Sequence, residues 1–176
     1  TASPPAKFAA AFAVGARVLK DLYPEYVDDR PPRAKDAYAF GKKEPGASQT
    51  APGKGPYFYE EENWIDDMEL AAGAIYQLTR EANYKSDALE YAKNEKYSPW
   101  IALDSVNHYQ YYPFLNAGHF EVASELSGSE KEELSSYYNQ GLEFLYAKGK
   151  ENPFFIGIPF VWCSNNFVTA AVTQCK

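Results

Sequence analysis

Aromatic rings and carboxylates lie together in two stretches of this chain, and both residue types suit the binding of a neutral sugar. The first stretch, residues 55–70, carries Tyr57, Tyr59 and Trp64 among several glutamates and aspartates. The second, residues 108–114, reads His-Tyr-Gln-Tyr-Tyr-Pro-Phe. Aromatic rings offer a flat apolar face with a polar handle, and carboxylates bind hydroxyl groups or a hard cation such as calcium. The pattern indicates a polymeric neutral ligand, and a saccharide fits it best.

Composition narrows the classes of partner. The 176 residues suffice for one domain, which we expect to span residues 1–176. A net charge of −7 repels phosphate backbones, and no run of lysine or arginine offsets it, which argues against nucleic acid. No apolar run has the length of a membrane span, so we expect no membrane partner. No signal peptide is visible, and the chain begins at Thr1, which predicts a mature product or a piece of a longer protein.

Apolar periodicity predicts helices along most of the chain and no convincing strand. Seven helices are expected, over residues 7–22, 31–43, 65–79, 84–97, 113–126, 129–148 and 162–174. The sixth is expected to open with a capping box, Ser129 to Glu132, and His119 is expected to pack inside the fifth. Helix pairs joined by short loops stack into α-solenoids or close into an α/α toroid.

The two cysteines, Cys163 and Cys175, fall in the last predicted helix. Twelve residues of helix separate them by ~18 Å, whereas a disulfide needs Cα atoms within ~7 Å. They cannot pair with each other if that helix is continuous, and we expect both to be reduced and buried.

Four segments, in chain order, resemble the middle of a family 9 glycoside hydrolase catalytic domain. They are residues 6–13, 57–79, 108–119 and 159–171, and the resemblance is closest to a bacterial subgroup with the variants Tyr-Glu-Glu-Glu-Asn-Trp and Trp-Cys-Ser-Asn-Asn. This resemblance implies an all-α fold that is a large part of an (α/α)6 barrel. It also implies an inverting endo-1,4-β-glucanase acting on cellulose-type β-1,4-glucan, in a secreted or periplasmic location.

The departures from the family pattern concern the catalytic groups. Relatives carry an Asp-x-Gly-Asp motif upstream and a general-acid Glu downstream, and this chain contains neither. An inverting glycosidase needs two carboxyl groups ~6.5–9.5 Å apart across the scissile bond. The resemblance therefore implies a fragment with no catalytic residue of its own, inactive alone, that supplies cleft residues to a larger enzyme.

Substrate-binding residues follow from the aligned positions. Trp162 matches a tryptophan at the sugar subsites, with core packing as the alternative role. Asn166 stands where relatives often carry Arg. This substitution replaces a charged group by an amide, and it leaves the role of Asn166 open. His108 matches a subsite aromatic, with a histidine satisfied by backbone as the alternative. Phe167 stands where relatives usually carry an aromatic residue, and the loop of His108 also holds Tyr109, Tyr111 and Tyr112. The remaining candidates are Tyr57, Tyr59 and Trp64, because the loop that precedes them borders the cleft in relatives.

A structural calcium is the one cofactor that the resemblance suggests, and none is required. Asp66 and Asp67 match an Asp-Glu pair that some relatives use for calcium, and Glu62 would add a third carboxylate. A further aspartate ligand of relatives aligns with Pro113, which has no carboxylate. Calcium takes six to eight oxygens, so two aspartates do not suffice. The alternative is that both aspartates stabilise the dipole at the start of the third helix.

Two rival functions remain open from sequence alone. One is a non-catalytic saccharide-binding helical domain, which would use the same aromatic residues. The other is a helical scaffold whose aromatic residues form only its core.

The barrel interpretation also predicts apolar stripes on the two outermost helices, at Ala9, Phe12 and Val14 and at Val168, Ala171 and Val172. Exposed apolar stripes favour association with another protein surface, so we expect association with the rest of the enzyme or self-association.

Overall fold

The computed structural model describes residues 1–47, 63–95, 117–158 and 164–175. Within these ranges the side chains of five residues are not described: Tyr26, Ser164, Asn166, Phe167 and Ala170. The described residues form seven α-helices and no strand, which confirms the all-α prediction. None of these helices combines the length and the apolar character needed to cross a membrane.

Seven helices follow one another along the described parts of the chain. Their bounds are α1 Ser3–Leu19, α2 Arg30–Lys43, α3 Ile65–Thr79, α4 Ala82–Glu95, α5 Ala117–Ala123, α6 Gly128–Lys150 and α7 Ser164–Gln174, with a single 3-10 turn at Pro24–Tyr26 before α2. Apolar periodicity predicted α3 with both of its ends.

Four predicted helix starts differ from the structure, by four residues in α1, two in α4 and one each in α2 and α6. Helix α1 begins at Ser3 rather than Lys7, because its two prolines lie inside the first turn, where a missing N–H costs no hydrogen bond. Helix α6 begins at Gly128 after the N-cap Ser127, so the expected capping box at Ser129 lies one position inside the helix, and Ser127 makes no side-chain cap hydrogen bond.

The helices form an inner and an outer layer. Helix α3 packs between α1 and α5, while α2 covers α1 and α3 and α4 covers α3 and α5. Contacts between α1 and α3, and between α3 and α5, join like ends of these helices, so the three run parallel. Helices α2 and α4 return in the opposite direction. This alternation is the one expected for part of an (α/α)6 barrel.

Small residues allow the inner helices to approach closely. Alanine side chains with no exposed surface line the contact between α1 and α3, among them Ala6, Ala9, Ala71 and Ala72. A Cβ added at Gly73 would lie 2.7 Å from Cγ2 of Val122 on α5. The core is therefore dense because the backbones of the inner helices approach closely, and not because large side chains fill it.

The predicted apolar stripes are only partly exposed. On α1, Ala9 is fully buried and Phe12 and Val14 are partly buried, so the prediction was wrong for these three residues. The large apolar side chains that α1 exposes most are instead Phe8 and Val18, because they face away from the core. On α7, Val168 and Val172 keep 44% and 63% of their surface exposed, while Ala171 is buried.

Candidate functional site

The two segments that carry most predicted sugar-binding residues, 48–62 and 96–116, lie outside the described residues. They are joined to the described chain at Ala47, Asn63, Glu95 and Ala117. The contacts around these four junctions are described, and they show where in the fold the segments begin and end.

All four junctions belong to one end of the helical layer. The backbone carbonyl of Gly46, next to the first junction, accepts a hydrogen bond from the Ala2 N–H at 2.8 Å, beside the start of α1. The Asn63 amide donates to Oε2 of Glu95 at 2.8 Å, which joins the second and third junctions. The fourth junction opens α5, whose His119 contacts the start of α3. We call this region, where α1, α3 and α5 begin, the junction end.

Asn63 also stabilises the start of α3. Its Oδ1 accepts the backbone N–H of Ile65 at 3.1 Å and that of Trp64 at 2.9 Å. A side-chain oxygen that accepts an N–H of the first turn satisfies a donor that has no intrahelical partner. Sequence reasoning missed this residue, although an asparagine directly before a helix is a recognisable signal.

A carboxylate and an imidazole are sealed together at the junction end. Glu69 Oε1 lies 2.5 Å from His119 Nδ1, and neither side chain has any exposed surface. The rings of Tyr137 and Tyr138 on α6 cover the imidazole at centroid distances of 5.4 and 5.7 Å. Burial raises the pKa of Glu69, and His119 partly offsets that rise. The expectation that His119 packs inside its helix is confirmed.

Glu95 is the second buried acid of this region. Its Oε1 has no hydrogen-bond partner among the described residues, while Oε2 accepts the Asn63 amide. Burial is the main cause that raises the pKa of Glu95, and the negative charges of Glu69 and Asp67 add to it. The sequence pattern did not single out Glu69 or Glu95, because each looks like an ordinary polar position on its own helix.

A glycine makes the Glu69–His119 contact possible. A Cβ added at Gly118 would lie 2.8 Å from Cγ and Cδ of Glu69 and from the backbone nitrogen of Leu70. No larger residue fits there without movement of α5 away from α3. Gly118 was not predicted as a functional position, because only the packed helices show what it faces.

Of the predicted calcium ligands, Asp66 and Asp67 are described and both are buried. Oδ1 of Asp66 makes no hydrogen bond to a described residue, whereas Asp67 is engaged by protein groups. Asp67 Oδ2 accepts the Ser3 hydroxyl at 2.7 Å and lies 3.4 Å from Nζ of Lys7. Among the described residues, no group of three acidic, histidine or cysteine side chains is placed to hold a metal ion. Glu62 lies outside the described residues, so the calcium site stays a prediction.

The other predicted site residues have different outcomes. Trp64 is partly buried, and its ring meets the ring of Tyr91 on α4 edge to face, with centroids 6.2 Å apart. Asn166 and Phe167 lie in α7, with side chains that are not described. The remaining sugar-binding candidates lie outside the described residues and stay predictions: Tyr57, Tyr59, His108, Tyr109, Tyr111, Tyr112 and Trp162.

An apolar groove of 620 Å³ lies between α6, the segment 155–158 and α7. Tyr146, Phe155 and Val172 are among the residues that line it, and none of its lining residues was predicted to bind sugar. Cys175, also in its wall, carries a free thiol and is exposed, so the expectation that it is buried was wrong, because it lies just beyond the end of α7. Cys163 lies outside the described residues.

Comparison with known proteins gives one family and one fold. A search of curated protein sequences found no match. The structure of AaCel9A in complex with a cellobiose-like isofagomine is similar, with a TM-score of 0.67 at 19% sequence identity. That similarity covers 97% of this chain and 33% of AaCel9A, so the chain spans about a third of that structure. The likeness confirms an all-α fold of the (α/α)6-barrel type. The family model described as glycosyl hydrolase family 9 matches residues 2–176, and the chain therefore belongs to glycosyl hydrolase family 9.

Proposed function

We propose that this chain forms part of the substrate cleft of an extracellular glycoside hydrolase that cleaves β-1,4-glucan with inversion. The observation that carries the proposal is the family match over residues 2–176. The complex of AaCel9A with a cellobiose-like isofagomine supports a β-glucan ligand, since that sugar analogue binds a protein of similar fold.

The geometry of the junction end supports a role in holding the sugar. The segments with His108 and Tyr57 both begin and end beside the N-termini of the inner helices. Buried contacts between α1, α3, α4 and α5 fix these four junctions. A cleft that positions a glucan chain needs such rigid supports, because orientation of the substrate accounts for a large part of catalysis.

The chemistry belongs to groups outside this chain. Glu69 and Glu95 are the buried glutamates of the junction end, and neither suits the role of general acid or base. Glu69 has no exposed surface, and its described partner is His119. Glu95 is likewise buried and accepts the Asn63 amide. Both instead support the backbone from which the aromatic segments extend.

Calorimetry with cellohexaose tests the binding role. We expect the chain to bind, and we expect Trp162→Ala and Tyr109→Ala each to weaken binding about fivefold, because an aromatic contact contributes ~1 kcal/mol. Tyr23→Ala is a matched control, since Tyr23 is an exposed aromatic at the opposite end of α1. No binding, or folded alanine variants that bind like wild type, would contradict the proposal.

The flanking coding sequence and an activity assay test the enzymatic role. We expect an Asp-x-Gly-Asp motif upstream and an acidic loop downstream of this segment. We also expect soluble cellulose derivatives to be hydrolysed by the extended protein and not by the 176-residue chain. Binding by the chain, together with flanks that lack both motifs, would favour a non-catalytic saccharide-binding domain instead.

A further inference from the structure

A lysine of α1 reaches a buried carboxylate at the start of α3. Asp67 lies in the first turn of α3 with 4% of its side chain exposed. Ser3 and Lys7 are one helical turn apart on α1 and face it together. The Ser3 hydroxyl donates to Asp67 Oδ2 at 2.7 Å, and Lys7 Nζ lies 3.4 Å from both that oxygen and Ser3 Oγ.

We propose that the Lys7 ammonium is the built-in counter-ion of this carboxylate and takes the place of a divalent cation at the junction end. The α1–α3 contact then forms without calcium. Ser3 orients the ammonium, because its oxygen accepts from Lys7 while its hydroxyl donates to Asp67. This inference concerns stability and does not depend on the proposed glucan-binding function.

Charge at the site favours an internal cation over a metal ion. A divalent ion bound to Asp67 Oδ2 would lie against an ammonium group that contacts the same oxygen, and the two positive charges would repel each other. Lys7 is half exposed, with 49% of its side chain accessible, so its charged head keeps contact with water and its burial costs little. The helix dipole adds further positive potential at the first turn of α3.

Asp67 is the buried carboxylate that the Lys7 ammonium contacts. Glu69 and Glu95 lie nearby, and burial raises the pKa of each. Asp67 instead receives a hydroxyl and an ammonium, two donors that stabilise the ionised form.

Thermal unfolding of the whole chain, followed by circular dichroism in EDTA and in calcium, tests the proposal. We expect the wild-type Tm to be equal in both buffers, and no terbium luminescence sensitised by the adjacent Trp64. We expect Lys7→Met, which keeps the length of the side chain, to lower the Tm by ~3 °C or more in EDTA. Lys7→Arg keeps the charge and should stay near the wild-type Tm. Lys20→Met removes an exposed charge beyond the last turn of α1 and is the matched control.

Two results would overturn the proposal. One is a wild-type chain that calcium stabilises by several degrees, with the effect abolished by Asp67→Asn, because that would show a metal ion at this carboxylate. The other is a Lys7→Met variant with the Tm of the Lys20→Met control, because the ammonium would then contribute nothing. Neither readout involves a sugar, so failure here is distinct from failure of the glucan-binding proposal.

Discussion

The sealed Glu69–His119 pair can be tested by a substitution that removes one partner. His119→Leu fills the space of the imidazole with an apolar side chain and removes the nitrogen that lies 2.5 Å from Glu69 Oε1. Glu69 has no exposed surface, and its second oxygen has no hydrogen-bond partner among the described residues. Breaking a buried pair costs about 3–5 kcal/mol, because a desolvated charge remains. We expect the free energy of unfolding to fall by about that amount.

Urea unfolding followed by far-UV circular dichroism measures this loss. The double variant Glu69→Met with His119→Leu replaces both partners by apolar side chains, an exchange that is often neutral or stabilising. We expect it to recover more than half of the loss. A single variant within about 1 kcal/mol of wild type would refute the role of the pair. A double variant no more stable than the single one would show that packing of the imidazole on Tyr137 and Tyr138 matters more.

Two further predictions concern the same end of the fold. Gly118→Ala places a Cβ 2.8 Å from Glu69, so we expect a loss of about 1–3 kcal/mol in urea unfolding. Gly15→Ala, with no atom within 4 Å of the new Cβ, should instead gain up to about 1 kcal/mol, and equal effects would contradict the packing argument. Burial raises the pKa of Glu95, so its contribution to stability is present at acidic pH and is lost as pH rises through the raised pKa. We therefore expect Glu95→Gln to gain stability over wild type between acidic and neutral pH, and a pH-independent difference would contradict this.

Local pattern was enough to predict the helices but not their contacts. The bounds of α3 follow from apolar periodicity and from the two aspartates in its first turn. The ends of α1 and α6 were missed, because prolines and serines are compatible with more than one position near a helix start. Secondary structure depends on neighbouring residues, and those neighbours are visible in the sequence.

The candidate site depends on residues far apart in the chain. Glu69 meets His119 across 50 residues, and Ser3 meets Asp67 across 64. Each pairing requires that α1, α3 and α5 run parallel and in register, which no local pattern specifies. The aromatic residues could be identified as candidates from their residue type alone. The buried acids and Gly118, which support the aromatic segments, could not be identified from the sequence.

One geometric fact accounts for both the acids and the position of the aromatic segments. Parallel inner helices place the N-termini of α1, α3 and α5, and so the positive ends of their dipoles, on one side of the layer. Carboxylates are stabilised there, which explains why Asp66, Asp67 and Glu69 gather in the first two turns of α3. The connections that leave this side are the ones with the tyrosines. Under the proposed function the glucan chain lies at this end of the fold, where the Lys7 ammonium already contacts the carboxylate of Asp67.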